Sequence, residues 1–458
     1  MEKKLKTLKI SEAMAKNGIG RRRGDRKKAS IEKPKVTFSS ESKRLLRLIE
    51  KGGNIFLTGK AGTGKTTFLR YFRSITDKNV VVLAPTGVSA VNIQGQTMHS
   101  FFKFHPGITE NDIKKVYYKD RDIYKNIDIL IIDEISMVRS DFFDCIEKFL
   151  RINGPEPGKI FGGIQVIITG DLYQLPPIVQ KEEEIIFELV YKSPYFFDSN
   201  SFKKGNFSMV ELKKVYRQTD HDFIRILDLL RTCKLSDEHL EKINSRVCDY
   251  VSSDENNGIV LVTTNYAADK INYDKLCCIE NEERCFKGYI DGEFKINELP
   301  TAQNLFLKEG AQVMLLNNDS KGRWINGDIA KIIRIEEDQI RVMFEDGTFD
   351  DVSKYKWEKV KYSLDENGKI RSEIIGSFTQ IPIKLAWAVT IHKGQGKTYE
   401  KVFVDFGNGT FASGQAYVAL SRCRSLEGVR LRKPLCYDHL LVDERIEHFM
   451  IEFPKTEL

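Results

Sequence analysis

The sequence contains 458 residues, of which 41% are hydrophobic and 30% charged, and its formal net charge is +7. A chain of this length exceeds what a single hydrophobic core usually organises, so two or three domains are expected. No apolar run reaches the roughly 18 residues of a membrane span, and no secretory signal opens the chain. The eight cysteines form no C-x-x-C pair, which argues against a zinc or iron–sulfur site. These features predict a soluble protein that works inside the cell.

Basic residues are concentrated at the N-terminus. Residues 1–35 contain 13 Lys or Arg and 4 Asp or Glu, a net charge of +9, which leaves −2 for the rest of the chain. Few large apolar residues occur here, which predicts a disordered tail over residues 1–36. Two interpretations stay open: a nucleic-acid arm or targeting signal, and a merely solvated extension.

A glycine-rich segment from Gly59 to Thr66 matches the phosphate-binding pattern G-x-x-x-x-G-K-[ST]. An apolar run precedes it and a helical pattern follows it, as this pattern requires. Glycines let the backbone N–H groups turn inward, and the helix N-terminus adds a favourable dipole for phosphate. We expect Lys65 to reach the β- and γ-phosphates of a nucleotide and Thr66 to hold Mg²⁺. The predicted nucleotide-binding residues are Gly59, Ala61, Gly62, Thr63, Gly64, Lys65, Thr66 and Thr67.

Short apolar strands alternate with helical stretches from residue 55 to about residue 250, which predicts a parallel sheet covered by helices. One strand, residues 127–132, ends in Asp133 and Glu134 at the edge of the sheet where ligands bind. We expect Asp133 to hold Mg²⁺ and Glu134 to position and deprotonate an attacking water. After a third strand, Gln174 is placed to contact the γ-phosphate or the water.

A polar break at residues 252–258 predicts a domain boundary, after which a fresh strand starts a second α/β unit. Between residues 305 and 370 short strands follow one another without a helix, which predicts a small antiparallel barrel. We therefore predict a first domain over residues 37–255 and a second over 256–304 and 371–458. The barrel, residues 305–370, is inserted in the second domain.

An ordered series of blocks resembles the motifs of the Pif-type (petite integration frequency) and RecD-like DNA helicases of superfamily 1B. The resemblance runs from about residue 52 to residue 428, and the block at residues 215–231 favours the Pif-type branch. Besides the segments above, the blocks are APTGVSA at 84–90, GQTMHSFF at 95–102, VYRQ at 215–218, LAWAVTIHKGQG at 385–396 and QAYVALSR at 415–422.

This resemblance implies two RecA-like P-loop domains with a catalytic cleft between them. Arg217 and Arg422 match the family's two arginine fingers, which would meet the γ-phosphate, and Gly396 matches a nucleotide-binding position. The barrel matches a small Src-homology-like domain that helps grip DNA, and its recurrent segment falls at residues 324–328. A strand-splitting wedge is expected within residues 103–111. The positions that match the single-stranded DNA track are Thr86, His99, Phe101, Thr390, His392 and Lys393.

The implied function is an ATP- and Mg²⁺-dependent DNA helicase that moves 5′ to 3′ on single-stranded DNA. Forked duplexes, RNA–DNA hybrids and G-quadruplexes are the candidate substrates, and single-strand-binding or replication proteins the candidate partners. The enzyme is expected to be monomeric, and nucleoid-associated in a bacterium or nuclear or mitochondrial in a eukaryote. Ser42 stands where the family usually has a Gln that reads adenine, which leaves base selectivity open.

Two alternatives remain. The first is a DNA-binding subunit of a recombination or replication assembly with little ATPase of its own. The intact acid pair and arginines argue against it. The second is an RNA-directed helicase, which is disfavoured because Asp133 and Glu134 are followed by Ile135 and Ser136 rather than by Ala-Asp.

Overall fold

The computed structural model describes residues 40–105, 107–117, 121–248, 258–324, 326–364 and 370–456. Two parallel sheets, each covered by helices, form two RecA-like domains, and antiparallel sheets adjoin the second. The predicted fold class is confirmed. The basic tail, residues 1–36, lies outside the described residues.

The first domain is built on six parallel strands in the order β3-β2-β4-β5-β1-β6. Buried parallel strands read as continuous apolar runs because helices cover both faces. Every residue of Val80–Ala84, with sequence VVVLA, is accordingly buried. The strands are β1 Asn54–Gly59, β2 Val80–Ala84, β3 Gln96–Thr97, β4 Ile129–Ile132, β5 Gln165–Gly170 and β6 Phe207–Leu212.

Helices connect these strands, and two further helices follow the last strand, β6, in the chain. Among the described residues, no helix is both long and apolar enough to cross a membrane. The helices are α1 Ser40–Glu50, α2 Lys65–Ile75, α3 Gly87–Asn92, α4 Met98–Phe102, α5 Arg121–Lys125, α6 Ser140–Asn153, α7 Lys181–Val190, α8 Asn200–Lys204, α9 His221–Arg231 and α10 Asp237–Asn244.

Helix α9 belongs to the second core although it precedes the predicted boundary at residue 255. Asp220 caps it by accepting hydrogen bonds from the N–H groups of Asp222 and Phe223. Its apolar side chains, including Phe223 and Leu230, pack in one cluster with strand residues of the second domain. This helix therefore packs with the second domain, although the predicted boundary follows it.

The second domain has a parallel sheet in the order β18-β7-β19-β20. Its strands are β7 Ile259–Val262, β18 Ala388–Thr390, β19 Val402–Asp405 and β20 Val429–Leu431, and its helices are α11 Asn265–Cys277, α12 Ile391–Gly394 and α13 Gln415–Leu420. The antiparallel strands between β7 and β18 are β8 Arg284–Lys287, β9 Tyr289–Gly292, β10 Asn304–Leu307, β11 Gln312–Leu315, β12 Ile329–Ile335, β13 Gln339–Phe344, β14 Phe349–Ser353, β15 Tyr355–Leu364, β16 Ile370–Gln380 and β17 Ile383–Leu385.

The small antiparallel unit has a five-stranded sheet in the order β14-β13-β12-β11-β17. Strand β17 pairs with β11, so this sheet extends past residue 370, where the sequence analysis placed the end of the barrel. The long strands β15 and β16 form a separate hairpin that adds β9. The antiparallel sheets therefore include strands on both sides of the predicted insertion, residues 305–370: β9 lies before it and β17 after it.

The last helix, α14 Glu444–Glu452, returns to the first domain. Ile446 and Met450 are buried in the same cluster as β-strand residues of the first sheet. The Phe449 ring stacks on Phe197 with centroids 4.3 Å apart, and the Thr456 N–H donates to the Met209 carbonyl at 2.8 Å. The sequence analysis had grouped this segment with the second domain.

Candidate nucleotide and nucleic-acid site

The predicted phosphate loop joins β1 to α2 and curls around the ammonium group of Lys65. Lys65 Nζ donates to the carbonyls of Gly59 at 2.6 Å and Lys60 at 3.1 Å. Gly62 has a φ of +82°, and a Cβ there would lie 2.5 Å from the Cβ of Arg217, so only glycine fits. Burial lowers the pKa of Lys65, while the carboxylates of Asp171, Glu134 and Asp133 oppose that shift.

An oxygen-rich corner lies beside this loop at the carboxyl end of β4. Thr66 Oγ1 donates to Asp133 Oδ2 at 3.3 Å. Among the described residues, no group of three or more His, Cys, Asp or Glu forms a metal cage. A hydroxyl and one carboxylate suit Mg²⁺, which usually takes its remaining ligands from water and nucleotide phosphates. The corner therefore fits this cation.

Glu134 follows Asp133 in a left-handed backbone conformation, with φ 53° and ψ 45°. This conformation is uncommon for a residue other than glycine and often marks a functional site. Burial, together with the adjacent Asp133 carboxylate, raises the pKa of Glu134 to about 7. Glu134 Oε2 accepts a hydrogen bond from Gln395 Nε2 at 3.2 Å.

Gln174 lies after the end of β5 and is 7% exposed. Its Nε2 donates to Asp171 Oδ2 at 3.4 Å, and its Oε1 accepts from Gln395 at 3.1 Å. Gln174 and Glu134 therefore share a hydrogen-bonding partner in Gln395.

The two predicted arginine fingers lie where the domains meet. Arg217 donates to the carbonyls of Ser421 and Gly396, both at 3.3 Å. Burial and the nearby charge of Arg422 lower the pKa of Arg217 to about 9, so it stays protonated at neutral pH. Arg422 is 1% exposed and donates to the Val418 carbonyl at 2.9 Å.

Three residues that join the domains through side chains are absent from the predicted site: Tyr417, Gln395 and Arg231. Tyr417 accepts a hydrogen bond from the N–H of Ala61 in the phosphate loop at 2.9 Å and donates to Asp171 at 3.2 Å. Arg231 pairs with the same carboxylate at 2.8 Å. Tyr417 and Gln395 lie inside the sequence blocks at residues 415–422 and 385–396. Their position in these blocks is the sequence feature that could have identified them as functional.

Most predicted DNA-track residues lie at or shortly after the carboxyl ends of parallel strands. Thr86 follows β2 and accepts from the Ser89 N–H at 3.2 Å. Thr390 ends β18 and caps α12 by accepting from the N–H of Lys393, an exposed residue. His99 is exposed and stacks on Phe142, and the ring of His392 lies 6.3 Å from that of Phe411.

Phe101 does not join this surface. It is 5% exposed and packs edge to face against Phe102 and Tyr124 in the first core. Residues two positions apart on a helix point roughly 200° apart. Because His99 faces outward, Phe101 faces inward and its ring is not available for stacking on a base in this conformation.

Two further predicted DNA-contacting parts have defined local structure. Within the expected wedge, residues 103–111, Phe104 is buried against Phe102 and Phe149, and residue 106 lies outside the described residues. In the barrel segment 324–328, Trp324 is 4% exposed and donates to Asn317 at 3.0 Å. Trp324 is therefore a packing residue that shapes the loop.

Comparison with known proteins shows which families have a similar sequence. The family model described as "PIF1-like helicase" matches residues 37–238. ATP-dependent DNA helicase Pif1 of Bdellovibrio bacteriovorus is 33% identical over 91% of this chain and 92% of that protein. ATP-dependent DNA helicase PIF1 of Homo sapiens is 35% identical over 92% of this chain, which spans 65% of the human protein.

Solved structures give the same result. Bacteroides sp. Pif1 in complex with ADP-AlF4 superposes with a TM-score of 0.84 at 37% identity, covering 91% of this chain and 96% of that one. Bacteroides Pif1 bound to ssDNA is 38% identical with the same coverage, but its TM-score is 0.66. Identity and coverage are nearly equal for the two structures, so neither accounts for the lower score. The chain belongs to the PIF1-like helicase family.

Proposed function

We propose that this chain, an ATP-dependent DNA helicase, hydrolyses ATP between its two RecA-like domains and moves 5′ to 3′ along single-stranded DNA. The observation that carries the proposal is the contact of the second domain with the phosphate site of the first. Tyr417 reaches the Ala61 N–H, and Gln395 reaches Glu134 and Gln174. The position of the second domain relative to the first therefore affects the residues proposed to hydrolyse the nucleotide. The direction of movement rests on the family resemblance.

In the proposed reaction, Thr66 and Asp133 would hold Mg²⁺, which would neutralise charge on the phosphates. Lys65 turns from the loop carbonyls to the β- and γ-phosphates. Glu134 takes the proton of the attacking water, and its raised pKa keeps it close to the operating pH, where a general base is effective. Arg217 and Arg422 stabilise charge on the transferred phosphoryl group.

The proposed DNA track is divided between the two domains. A change in their separation would therefore move the enzyme along DNA. Thr86 and His99 belong to the first domain, whereas Thr390, His392 and Lys393 belong to the second, so any change in the cleft changes their separation. The lower TM-score against the ssDNA-bound relative supports a rearrangement on DNA binding. Each duplex base step costs about 1.4 kcal/mol of stacking, which ATP hydrolysis must offset.

Forked duplexes, RNA–DNA hybrids and G-quadruplexes are the proposed substrates, and single-strand-binding or replication proteins the proposed partners. One solved relative, 36% identical to this chain, concerns DNA unwinding at forked dsDNA by two coordinating Pif1 helicases. We propose a monomer before DNA binding, active in the nucleoid of a bacterium or in the nucleus or mitochondrion of a eukaryote.

The test measures ATP hydrolysis by the full chain with and without single-stranded DNA, for the wild type, Lys65→Ala and Lys78→Ala. Lys78 is an exposed residue of the first domain and serves as the control. Strong DNA stimulation that Lys65→Ala alone abolishes is the expected result. Unwinding of duplexes with a single 5′ or 3′ tail then tests polarity. Hydrolysis that is absent or independent of DNA would favour the assembly-subunit alternative.

A further inference from the structure

Gln395 of the second domain contacts Glu134 of the first. It follows α12 of the second domain, and its backbone N–H donates to the His392 carbonyl. Its side chain crosses the cleft, where Nε2 lies 3.2 Å from Glu134 Oε2 and 3.1 Å from Gln174 Oε1. One amide group therefore contacts both residues expected to handle the attacking water.

Asp171, Gln174, Gln395 and Glu134 form a hydrogen-bonded series. The carboxylates at its two ends determine the direction of each hydrogen bond. Asp171 and Glu134 are carboxylates, which when ionised only accept hydrogen bonds. Gln174 must therefore donate from Nε2 to Asp171, which leaves its Oε1 to accept. Gln395 donates one N–H of its amide to Gln174 Oε1 and the other to Glu134 Oε2. A side chain without two N–H donors cannot replace it.

The backbone around Gln395 is fixed by the same arginines that the family resemblance assigns to the γ-phosphate. Arg217 donates to the carbonyl of Gly396 at 3.3 Å, and Arg422 donates to that of Lys397 at 3.4 Å. Gly396 has a φ of +77°, which sets the turn immediately after Gln395. These two bonds hold the backbone that carries the Gln395 amide.

We propose that Gln395 is a positioning residue for ATP hydrolysis, which orients Glu134 and Gln174 only when the second domain closes on the first. This inference rests on the proposed hydrolytic function. Gln395 acts through its two partners and does not touch the reacting atoms. When the cleft opens, both hydrogen bonds are lost together, so Glu134 and Gln174 lose their mutual alignment. Hydrolysis in the open state is thereby suppressed.

The test compares Gln395→Leu with the wild type by steady-state ATP hydrolysis in saturating single-stranded DNA. Leucine has a similar volume but no N–H donors. We expect kcat to fall about 100-fold, the loss that a small misplacement of catalytic groups typically causes. KM for ATP and affinity for single-stranded DNA should stay within about threefold, because neither ligand contacts Gln395 in this proposal.

Gln339→Leu is the matched control. Gln339 Nε2 donates to Glu336 Oε2 at 2.7 Å in the barrel, so this variant removes the same kind of bond away from the cleft. Its kcat should equal that of the wild type. If Gln395→Leu does not fold, Gln395→Glu keeps the size and polarity but loses the donors, and a similar fall in kcat is expected.

A double-mutant cycle separates positioning from a general structural effect. Gln174→Leu combined with Gln395→Leu should lower kcat little more than one substitution alone, since both act on one arrangement. Additive losses, an unchanged kcat, or a higher kcat in Gln395→Leu would overturn the inference. Absence of DNA-stimulated hydrolysis in the wild type would instead overturn the proposed function, so the two failures are distinguishable.

Discussion

Arg231 donates two hydrogen bonds, from Nε at 3.1 Å and Nη2 at 2.8 Å, to a single oxygen of Asp171. The other oxygen of Asp171 accepts hydrogen bonds from Tyr417 and Gln174. The carboxylate is 1% exposed and the arginine 6%. This ion pair therefore holds the loop after β5, the helix α9 and the second domain at one point beneath the phosphate loop.

Arg231→Met should destabilise the protein strongly. The change removes the cation but leaves Asp171 buried, and breaking a buried pair in this way costs about 3–5 kcal/mol. The measurement is the midpoint of urea unfolding at pH 7, followed by fluorescence. Arg424→Met is the control, because Arg424 and its partner Glu400 are each 56% exposed. Equal midpoints for both variants would contradict the prediction.

The cost of Arg231→Met should become smaller as the pH falls. Burial favours a higher pKa for Asp171, but the charges of Arg231 and Lys65 outweigh it and hold the pKa below its usual value. In the wild type this pair therefore contributes stability above the pKa of the unfolded chain, and that contribution is lost in acid. In Arg231→Met the pKa rises, so protonation at mildly acidic pH relieves the buried charge. Unfolding midpoints from pH 7 to pH 5 should converge.

Glu134→Gln should abolish turnover while ATP and single-stranded DNA still bind. Glutamine keeps the shape of the side chain but cannot accept a proton from water, and loss of a general base typically costs about 10²–10⁴ in rate. Hydrolysis is measured beside equilibrium binding of both ligands. Glu188→Gln, at an exposed position of α7, should behave as the wild type. Normal turnover in Glu134→Gln would remove this residue from the base role.

Arg217→Ala should reduce kcat by about 10³–10⁵, the effect of losing an arginine finger. Arg217 is the better test of this role, since the Arg422 side chain is also packed inside the second domain. Arg424→Ala is the control, because Arg424 is 56% exposed and pairs with Glu400 at the surface. A loss of less than tenfold in Arg217→Ala would exclude the finger assignment.

Deleting residues 1–35 should weaken binding to single-stranded DNA mainly at low salt. The segment carries a net charge of +9, and the salt dependence of binding scales with the number of phosphates contacted. The measurement is the slope of log affinity against log salt for the full and shortened chains. An unchanged slope would show that the tail does not contact DNA.

Ile446→Ala should lower the stability of the first domain by about 2–5 kcal/mol, the usual cost of shortening a buried aliphatic side chain. Ile446 is 1% exposed in the first core. Ile451→Ala provides the control on the same helix, because Ile451 is 75% exposed. Comparable loss in the two variants would mean that α14 does not dock as described.

The phosphate loop, the acid pair and the parallel strands were predictable because each is encoded in a short stretch of sequence. Gly59 to Thr66 specify the strand–loop–helix turn locally, and the apolar run of β4 carries Asp133 and Glu134 to the sheet edge. Family resemblance singled out Arg217 and Arg422 as well. Arg217 donates to the Ser421 carbonyl, whereas Arg422 donates to the Val418 carbonyl within its own domain.

Contacts that depend on the packing of distant segments were not predictable. Gln395 and Glu134 are separated by 261 positions, and their hydrogen bond exists only once two domains are docked. Phe101 occupies a motif position expected to meet DNA, yet its place on α4 turns it to the core. The pattern of α14 indicates an amphipathic helix, but it cannot indicate which of two cores receives that helix.

The return of α14 has a mechanical consequence. The described chain begins at α1, whose Leu45 and Ile49 are buried in the first domain, and ends on the same domain. A tensile force applied at residues 40 and 456 therefore passes through the first domain alone. The second domain and the barrel form a loop held at both ends, and they carry no load until α14 detaches. Connectivity thus shields the second domain from tension along the backbone.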